Sequence, residues 1–276
     1  MCSTKTLLSS FLSIIAFFCS LFNIPFYAVG DEVRMQDFVL TFSDEFSGTS
    51  LDRDIWTGHF QPDSMTVKRK GCYWNSSVTQ VKDGSLHIPC VYLPEGTGGT
   101  GAGWYTSGID TSESFSQTYG YFECRCILPE GSDIWSAFWL FCPGVTDISG
   151  DGQDGTEIDI MESFPGNSVQ HNLHWNGYGE AHEQLRGRKF LVKGDPHREY
   201  NTYGLEWNQD EYIFYINGRE SMRTSAGGVS KVPEFLILSV EMKGENAIPA
   251  QRENAPGESS DFIVDYVRVY QYKDLI

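Results

Sequence analysis

Apolar and polar residues alternate along much of this chain with a period of two, which places successive side chains on opposite faces of a strand. The alternation is clearest over residues 119–128. There Phe122, Cys124 and Cys126 share one face, and Tyr121, Glu123 and Arg125 share the other. Residues 134–142 put Trp135, Ala137 and Trp139 on one side, and residues 169–175 group Gln170, Asn172 and His174. Further strands are predicted over 38–42, 189–192, 201–207, 212–216, 235–242 and 262–270. Asp83-Gly84 joins predicted strands 78–81 and 86–91 as a hairpin, and Asn217-Gly218 marks a second tight turn. Stretches rich in Gly, Pro and Thr at 94–103 and in Gly, Pro and acids at 143–155 read as loops. The first precedes Trp104 and is expected on the rim of a cleft. No long amphipathic helix, internal repeat or dividing linker appears. Many short strands separated by turns predict one all-β domain, a sandwich or barrel.

One stretch breaks the alternation in an informative way: Glu157-Ile158-Asp159-Ile160-Met161-Glu162. On a regular strand Glu157 and Asp159 point one way, and Ile158 and Ile160 the other. Glu162 is out of phase by one residue. A β-bulge at Met161 or a neighbour would return it to the face of Glu157. Glu157 and Glu162 would then sit roughly 13 Å apart at Cα, at ~3.3 Å per residue. Inclined side chains would bring the carboxyl groups to about 5–6 Å. Glycosidases that retain anomeric configuration hold two carboxyl groups at about 5–5.5 Å, and inverting ones at about 6.5–9.5 Å. Three acids this close cannot all ionise freely, so at least one is expected to hold its proton at neutral pH. A solvated acidic strand face and a carboxylate site for a hard cation are the competing readings.

Length and charge narrow the field. The 276 residues carry a net charge of −17, which argues against nucleic acid and anionic membrane surfaces as partners. Residues 1–30 read as a signal peptide: Lys5, an apolar run over 7–22, and small residues Ala28, Val29 and Gly30 before a cut that leaves Asp31. An uncleaved anchor is the alternative. The mature domain, 31–276, is then expected to be secreted, with no stable membrane insertion. Of the five cysteines after the leader, Cys124 and Cys126 read as buried packing. A Cys72–Cys90 bridge is a weaker expectation, and no cysteine spacing suits zinc. Asn75-Ser76-Ser77 is a glycosylation acceptor in a eukaryotic host. Trp135 and Trp139 are suited to stack on sugar rings, and Glu123 with Arg125 to bond hydroxyls directionally. Two core tryptophans and a surface ion pair are the plainer readings.

The acidic stretch resembles the active-site signature of glycoside hydrolase family 16 in its bulged, laminarinase-like form. Other landmarks follow in order across nearly the whole mature chain. They are the Phe42-to-Phe46 stretch, Tyr119 through Arg125, Trp135 through Trp139, and Val264 through Tyr270. The resemblance implies a concanavalin A-like β-jelly roll whose concave face is an open saccharide cleft. It implies Glu157 as nucleophile, Glu162 as general acid/base, and Asp159 as the residue that tunes them. His174 resembles the family's cleft histidine, and Trp104 and Asn75 are weaker substrate candidates. A structural calcium on the convex side would match Glu45, Gly84 and Asp265, and the chemistry itself needs no cofactor. The partner implied is a polysaccharide, and the protein is expected to be a monomer.

The implied substrate is a β-1,3- or β-1,3-1,4-glucan. The resemblance thins at Leu238 through Gly244, where the double glycine and tryptophan of laminarinase-type members are missing and Glu241 is new. That opens the alternative of an endo-β-galactosidase-type enzyme on galactan, agar, carrageenan or mucin-type glycans. A transglycosylase and a non-catalytic lectin-like module remain as further alternatives, since one fold hosts all of these.

Overall fold

The computed structural model describes residues 27–59, 66–131, 133–148, 150–164, 166–243 and 259–276. Most of the leader expected over 1–30, and residues 244–258, lie outside the described residues.

Among the described residues two sheets face each other, one of eight strands and one of eleven. The smaller, front sheet runs in the order Glu183–Leu191, Ser168–Trp175, Glu157–Phe164, Ile134–Phe141, Glu234–Met242, Gly108–Asp110 and Thr57–Gly58. The back sheet is organised around Gly120–Ile127 and the long strand Ser259–Tyr272, which pair with each other. Consecutive strands repeatedly change sheet. Gly120–Ile127 lies at the back and Ile134–Phe141 at the front, and Arg219–Thr224 at the back precedes Glu234–Met242 at the front. This is an all-β jelly-roll sandwich.

The inward faces form one core. Phe122, Cys124 and Cys126 from the back meet Phe138, Leu140, Ile158, Ile160, Leu173, Leu238 and Val240 from the front. Each large apolar side chain buried this way stabilises the fold by about 1.5–3 kcal/mol. The carboxylate strand lies third from one edge of the front sheet, with Ser168–Trp175 and Ile134–Phe141 on either side. Its outward face is therefore walled by strands on both flanks.

Most predicted strands are present with shifted ends, and 201–207 and 212–216 match without shift. The turns at Asp83-Gly84 and Asn217-Gly218 have positive φ at all four residues. Two departures have physical causes. The strand expected over 78–81 begins only at Gln80, because residues 76–78 form a 3-10 turn in which the Asn75 side chain accepts a hydrogen bond from the Ser77 backbone N–H. The five cysteines are buried thiols, so the expected Cys72–Cys90 bridge is overturned. Strand Gly103–Thr106 lies between theirs, which sets the two about 9–10 Å apart, beyond the reach of a disulfide.

Candidate active site

The phase change in the carboxylate strand comes from one extra residue. Asp159 pairs with Asn172 and Glu162 with Gln170, so two residues, Ile160 and Met161, stand against the one residue His171. On the opposite flank Asp159 pairs with Trp139 and Met161 with Phe138, leaving Ile160 as the insertion. Ile158, Ile160 and Met161 are all fully buried in the core. Glu157, Asp159 and Glu162 consequently share the outer face. A bulge strands a backbone carbonyl away from the ladder. Here the Ile160 carbonyl is taken up by Nδ1 of the buried His171, 2.6 Å away. His171 lies opposite the bulge and is stacked on Phe214 at 4.7 Å between ring centroids. Burial pushes its pKa down to about 4, so the ring is neutral at ordinary pH. Nδ1–H then donates to Ile160, and Nε2 accepts from the Ser221 hydroxyl at 2.9 Å.

The acids are held by distinct partners. Tyr178 donates its phenolic proton to Glu157 Oε2. His174 Nε2 lies 3.4 Å from Asp159 Oδ2 and 4.0 Å from Glu157 Oε1. Asn172 donates its amide to Glu162 Oε2. Burial raises the pKa of all three acids, but unequally. Glu162 and Asp159 are pushed well above the carboxylate range by burial and then by a neighbouring acid. Glu157 is raised too, by burial, but the Tyr178 hydrogen bond, His174 and Lys70 pull it back. The partners of Glu157 thus favour its charged form, while burial and a neighbouring acid favour the protonated form of Glu162 and of Asp159. Among the described residues, Glu157, Asp159 and His174 are also the group whose ligand atoms lie close enough to hold a metal, within 4.8 Å of one another. They do not fit a cation as they stand. A phenolic proton already occupies Glu157, and the Lys70 ammonium helps neutralise both carboxylates.

Glu157 and Glu162 open into a cleft of about 1100 Å³ that runs over the Ser168–Trp175 and Glu183–Leu191 strands, and all three acids line a smaller hollow beside it. The cleft lining is unexpectedly cationic for a chain of charge −17. Lys70, Arg186, Arg188, Lys189 and Lys243 supply five of the chain's 20 lysines and arginines. Lys70 sits on the turn after Val67–Arg69 with φ 31°, an uncommon backbone region for a residue other than glycine. Its ammonium lies 4.1 Å above the Trp135 ring and 2.8 Å from the buried Glu241 carboxylate, which also binds Arg69.

The predicted residues divide cleanly. Trp135, Trp139 and His174 line the cleft with the three acids. Trp139 is held by its indole N–H, which donates to Ser239 Oγ at 3.1 Å. The other substrate candidates are corrected. Glu123 and Arg125 project from the back sheet, where Glu123 accepts from Tyr121 and Tyr266, and Arg125 pairs with Asp265. Trp104 is core, packed edge-on against Tyr92. Asn75 is buried as the cap of its turn. The calcium set does not fit either. Both Glu45 oxygens are engaged by Arg268 at 2.8–2.9 Å, Asp265 is engaged by Arg125, and Gly84 serves a hairpin turn. Sequence reading missed Tyr178, Arg69, Lys70 and the basic run Arg186-Gly187-Arg188-Lys189. The signal for Tyr178 was present: Asn176-Gly177 is a turn directly after the His174 strand, so the next aromatic folds back toward it.

A family profile described as "Beta-porphyranase A-D, GH16 domain" matches residues 37–272. The chain is similar to endo-1,3-1,4-beta-glycanase ExsH of Rhizobium meliloti, 26% identical over 252 residues, covering 83% of this chain and 51% of that protein. It is similar to keratan-sulfate endo-1,4-beta-galactosidase of Sphingobacterium multivorum, 29% identical over 256 residues, covering 87% and 56%. The chain thus spans about half the length of these relatives. Its fold resembles porphyranase B of Zobellia galactanivorans, with TM-score 0.70, 22% identity, and coverage of 90% and 98%. It also resembles SCLam, a non-specific endo-beta-1,3(4)-glucanase, with TM-score 0.68, 23% identity, and coverage of 90% and 97%. With the profile spanning the domain and the bulged acid strand set in a sandwich of the same fold, the chain belongs to glycoside hydrolase family 16.

Proposed function

We propose that the chain is an endo-acting β-glycan hydrolase working with net retention through a glycosyl-enzyme on Glu157. One observation carries this: the Ile160 bulge turns three acids onto a single face, where Tyr178 holds Glu157 and Asn172 holds Glu162. A Glu157 oxygen bonds to the anomeric carbon as the glycosidic C–O bond breaks, and Glu162 gives its proton to the leaving oxygen. Glu162 then takes a proton from water, whose oxygen attacks the anomeric carbon and frees Glu157. Asp159, on the same face and 3.4 Å from His174 Nε2, is placed to tune the pair.

For the substrate, the cleft favours a glycan bearing negative charge over a neutral glucan. The cationic bank of Arg186, Arg188, Lys189 and Lys243 supports this. The similarities to porphyranases and a keratan-sulfate galactosidase point to β-linked galactose. The test pairs Glu157→Gln with a panel of laminarin, mixed-linkage glucan, agarose, porphyran, carrageenan and keratan sulfate, read by release of reducing ends. The variant is expected to lose at least about a thousandfold in rate. Undiminished activity removes Glu157 as nucleophile. Glycan binding by the wild type without any cleavage on long incubation makes the domain a recognition module.

A further inference from the structure

We propose that Tyr178 is a positioning residue for the nucleophile, whose phenol holds one oxygen of Glu157 and so fixes the other as the attacking atom. The inference rests on Glu157 being the nucleophile. Tyr178 lies on the connection between Ser168–Trp175 and Glu183–Leu191, right after the Asn176-Gly177 turn, where φ is 61° and 69°. That turn is tied down on both sides. The Asn176 side chain accepts from the Gly150 N–H at 3.0 Å, and the Gly177 N–H donates to the Val145 carbonyl at 2.7 Å.

The ring is also aimed. Tyr178 packs against His182 at 5.8 Å between centroids, and His182 stacks nearly parallel on His174 at 5.1 Å. His174 Nδ1 and His182 Nε2 share a hydrogen bond of 2.8 Å. Although the residue as a whole is 55% exposed, its hydroxyl reaches Glu157 Oε2, and it lines the same cleft as the acids. Oε1 has His174 Nε2 at 4.0 Å. Oε2 is occupied and Oε1 is the freer oxygen.

In the first half-reaction Oε1 forms the bond to the anomeric carbon while the glycosidic bond breaks and Glu162 loses its proton to the leaving oxygen. Tyr178 keeps its proton throughout. Burial and the Glu157 charge both push the phenol pKa up, so it stays a donor. As Glu157 becomes an ester its charge falls, and the hydrogen bond weakens. In the second half-reaction charge returns to Glu157, and the phenol is placed to receive it. Tyr178 therefore favours departure of the sugar from the enzyme and keeps Glu157 ionised in the free enzyme.

Glu157 is faced by other groups as well. Lys70 and His174 favour its charge, and Glu241, Asp159 and Glu162 oppose it. Arg69 acts on Tyr178, and His182 touches its ring. None of these is removed by Tyr178→Phe, which keeps the ring and its stack and deletes only the hydroxyl.

The experiment measures kcat and KM against pH for wild type and Tyr178→Phe, on whichever glycan of the panel the wild type cleaves, with Tm as a folding check. The loss of one charge-assisted hydrogen bond predicts a fall in kcat of roughly ten- to hundredfold, with KM within about twofold. The acid limb of kcat/KM moves to higher pH, because the hydroxyl no longer holds Glu157 ionised. An unmoved acid limb overturns the proposal, whether or not kcat falls, because a residue that only shapes the loop lowers kcat without moving it. Glu157→Gln runs alongside. If it stays active the nucleophile assignment itself has failed. If it is dead and Tyr178→Phe matches wild type, only the role of Tyr178 has failed.

Discussion

Replacing His171 by Phe tests whether the bulge is held from behind. The substitution keeps an aromatic ring, slightly larger, against Phe214 and Phe190 and removes both ring nitrogens. The Ile160 carbonyl loses its donor, and Ser221 loses one partner while keeping the Phe214 carbonyl at 2.9 Å. A buried carbonyl left without a donor costs about 1–3 kcal/mol. For a domain of this size each kcal/mol lowers Tm by about 2–4 °C. The strand can recover part of that cost by shifting the bulge, and a shift of ~1 Å at Glu162 lowers turnover by about a hundredfold. His171→Phe is therefore expected to lose up to about 10 °C in Tm and about ten- to hundredfold in kcat, with KM little changed. His171→Asn, whose amide nitrogen reaches nearly where Nδ1 lies, restores most of the kcat. The assays are calorimetry and steady-state kinetics on all three proteins. A His171→Phe variant that loses stability but keeps full kcat would falsify the coupling between this hydrogen bond and the placement of Glu162.

Two further expectations concern other parts of the domain. Glu234 is fully buried, its Oε1 accepts the Thr156 N–H at 3.2 Å, and burial raises its pKa to about 8. The folded state then binds more protons than the unfolded chain between about pH 4.5 and 8, so the contribution of Glu234 to stability is full below that window and is lost as pH rises through it. At about 1.4 kcal/mol per pH unit the ceiling is a few kcal/mol. Glu234→Gln should flatten the fall in Tm measured across that range, and an unchanged slope refutes the assignment. The paired change Lys189→Ala with Lys243→Ala should raise KM for a charged glycan by about tenfold while leaving a neutral one nearly untouched. The gap should narrow as added salt shortens the Debye length to below about 8 Å. Equal effects on both glycans refute the role of the cationic bank.

How much of this could be read from residues alone follows from what alternation encodes. A period of two reports which side chains share a face, and a broken period reports a bulge. Glu157, Asp159 and Glu162 were legible because both signals sit in six residues flanked by apolar positions. Alternation does not report which sheet a strand joins. Glu123 and Arg125 point outward as expected, but from the back sheet. Trp104 follows a glycine-rich loop, yet the strand Gly103–Thr106 turns it into the core. The strand Arg219–Thr224 and, ahead of the predicted 189–192, most of Glu183–Leu191 escaped prediction because each lies at a sheet edge and carries polar residues on both faces. The second of these holds most of the cations of the cleft. Tyr178 and Lys70 come from turns, whose residues are positioned by backbone geometry and tertiary anchors that have no sequence period.

The central claim is that an out-of-phase glutamate is carried round by one inserted residue to face its partner at the spacing of a double displacement. The most direct measurement is proton NMR of the first product formed from a polymeric substrate, recorded before mutarotation. The account predicts that the newly released reducing end appears first as the β-anomer, with the α-form growing in later. Appearance of the α-anomer first contradicts it, because that outcome requires a water between the two carboxyl groups and leaves Glu157 no covalent role.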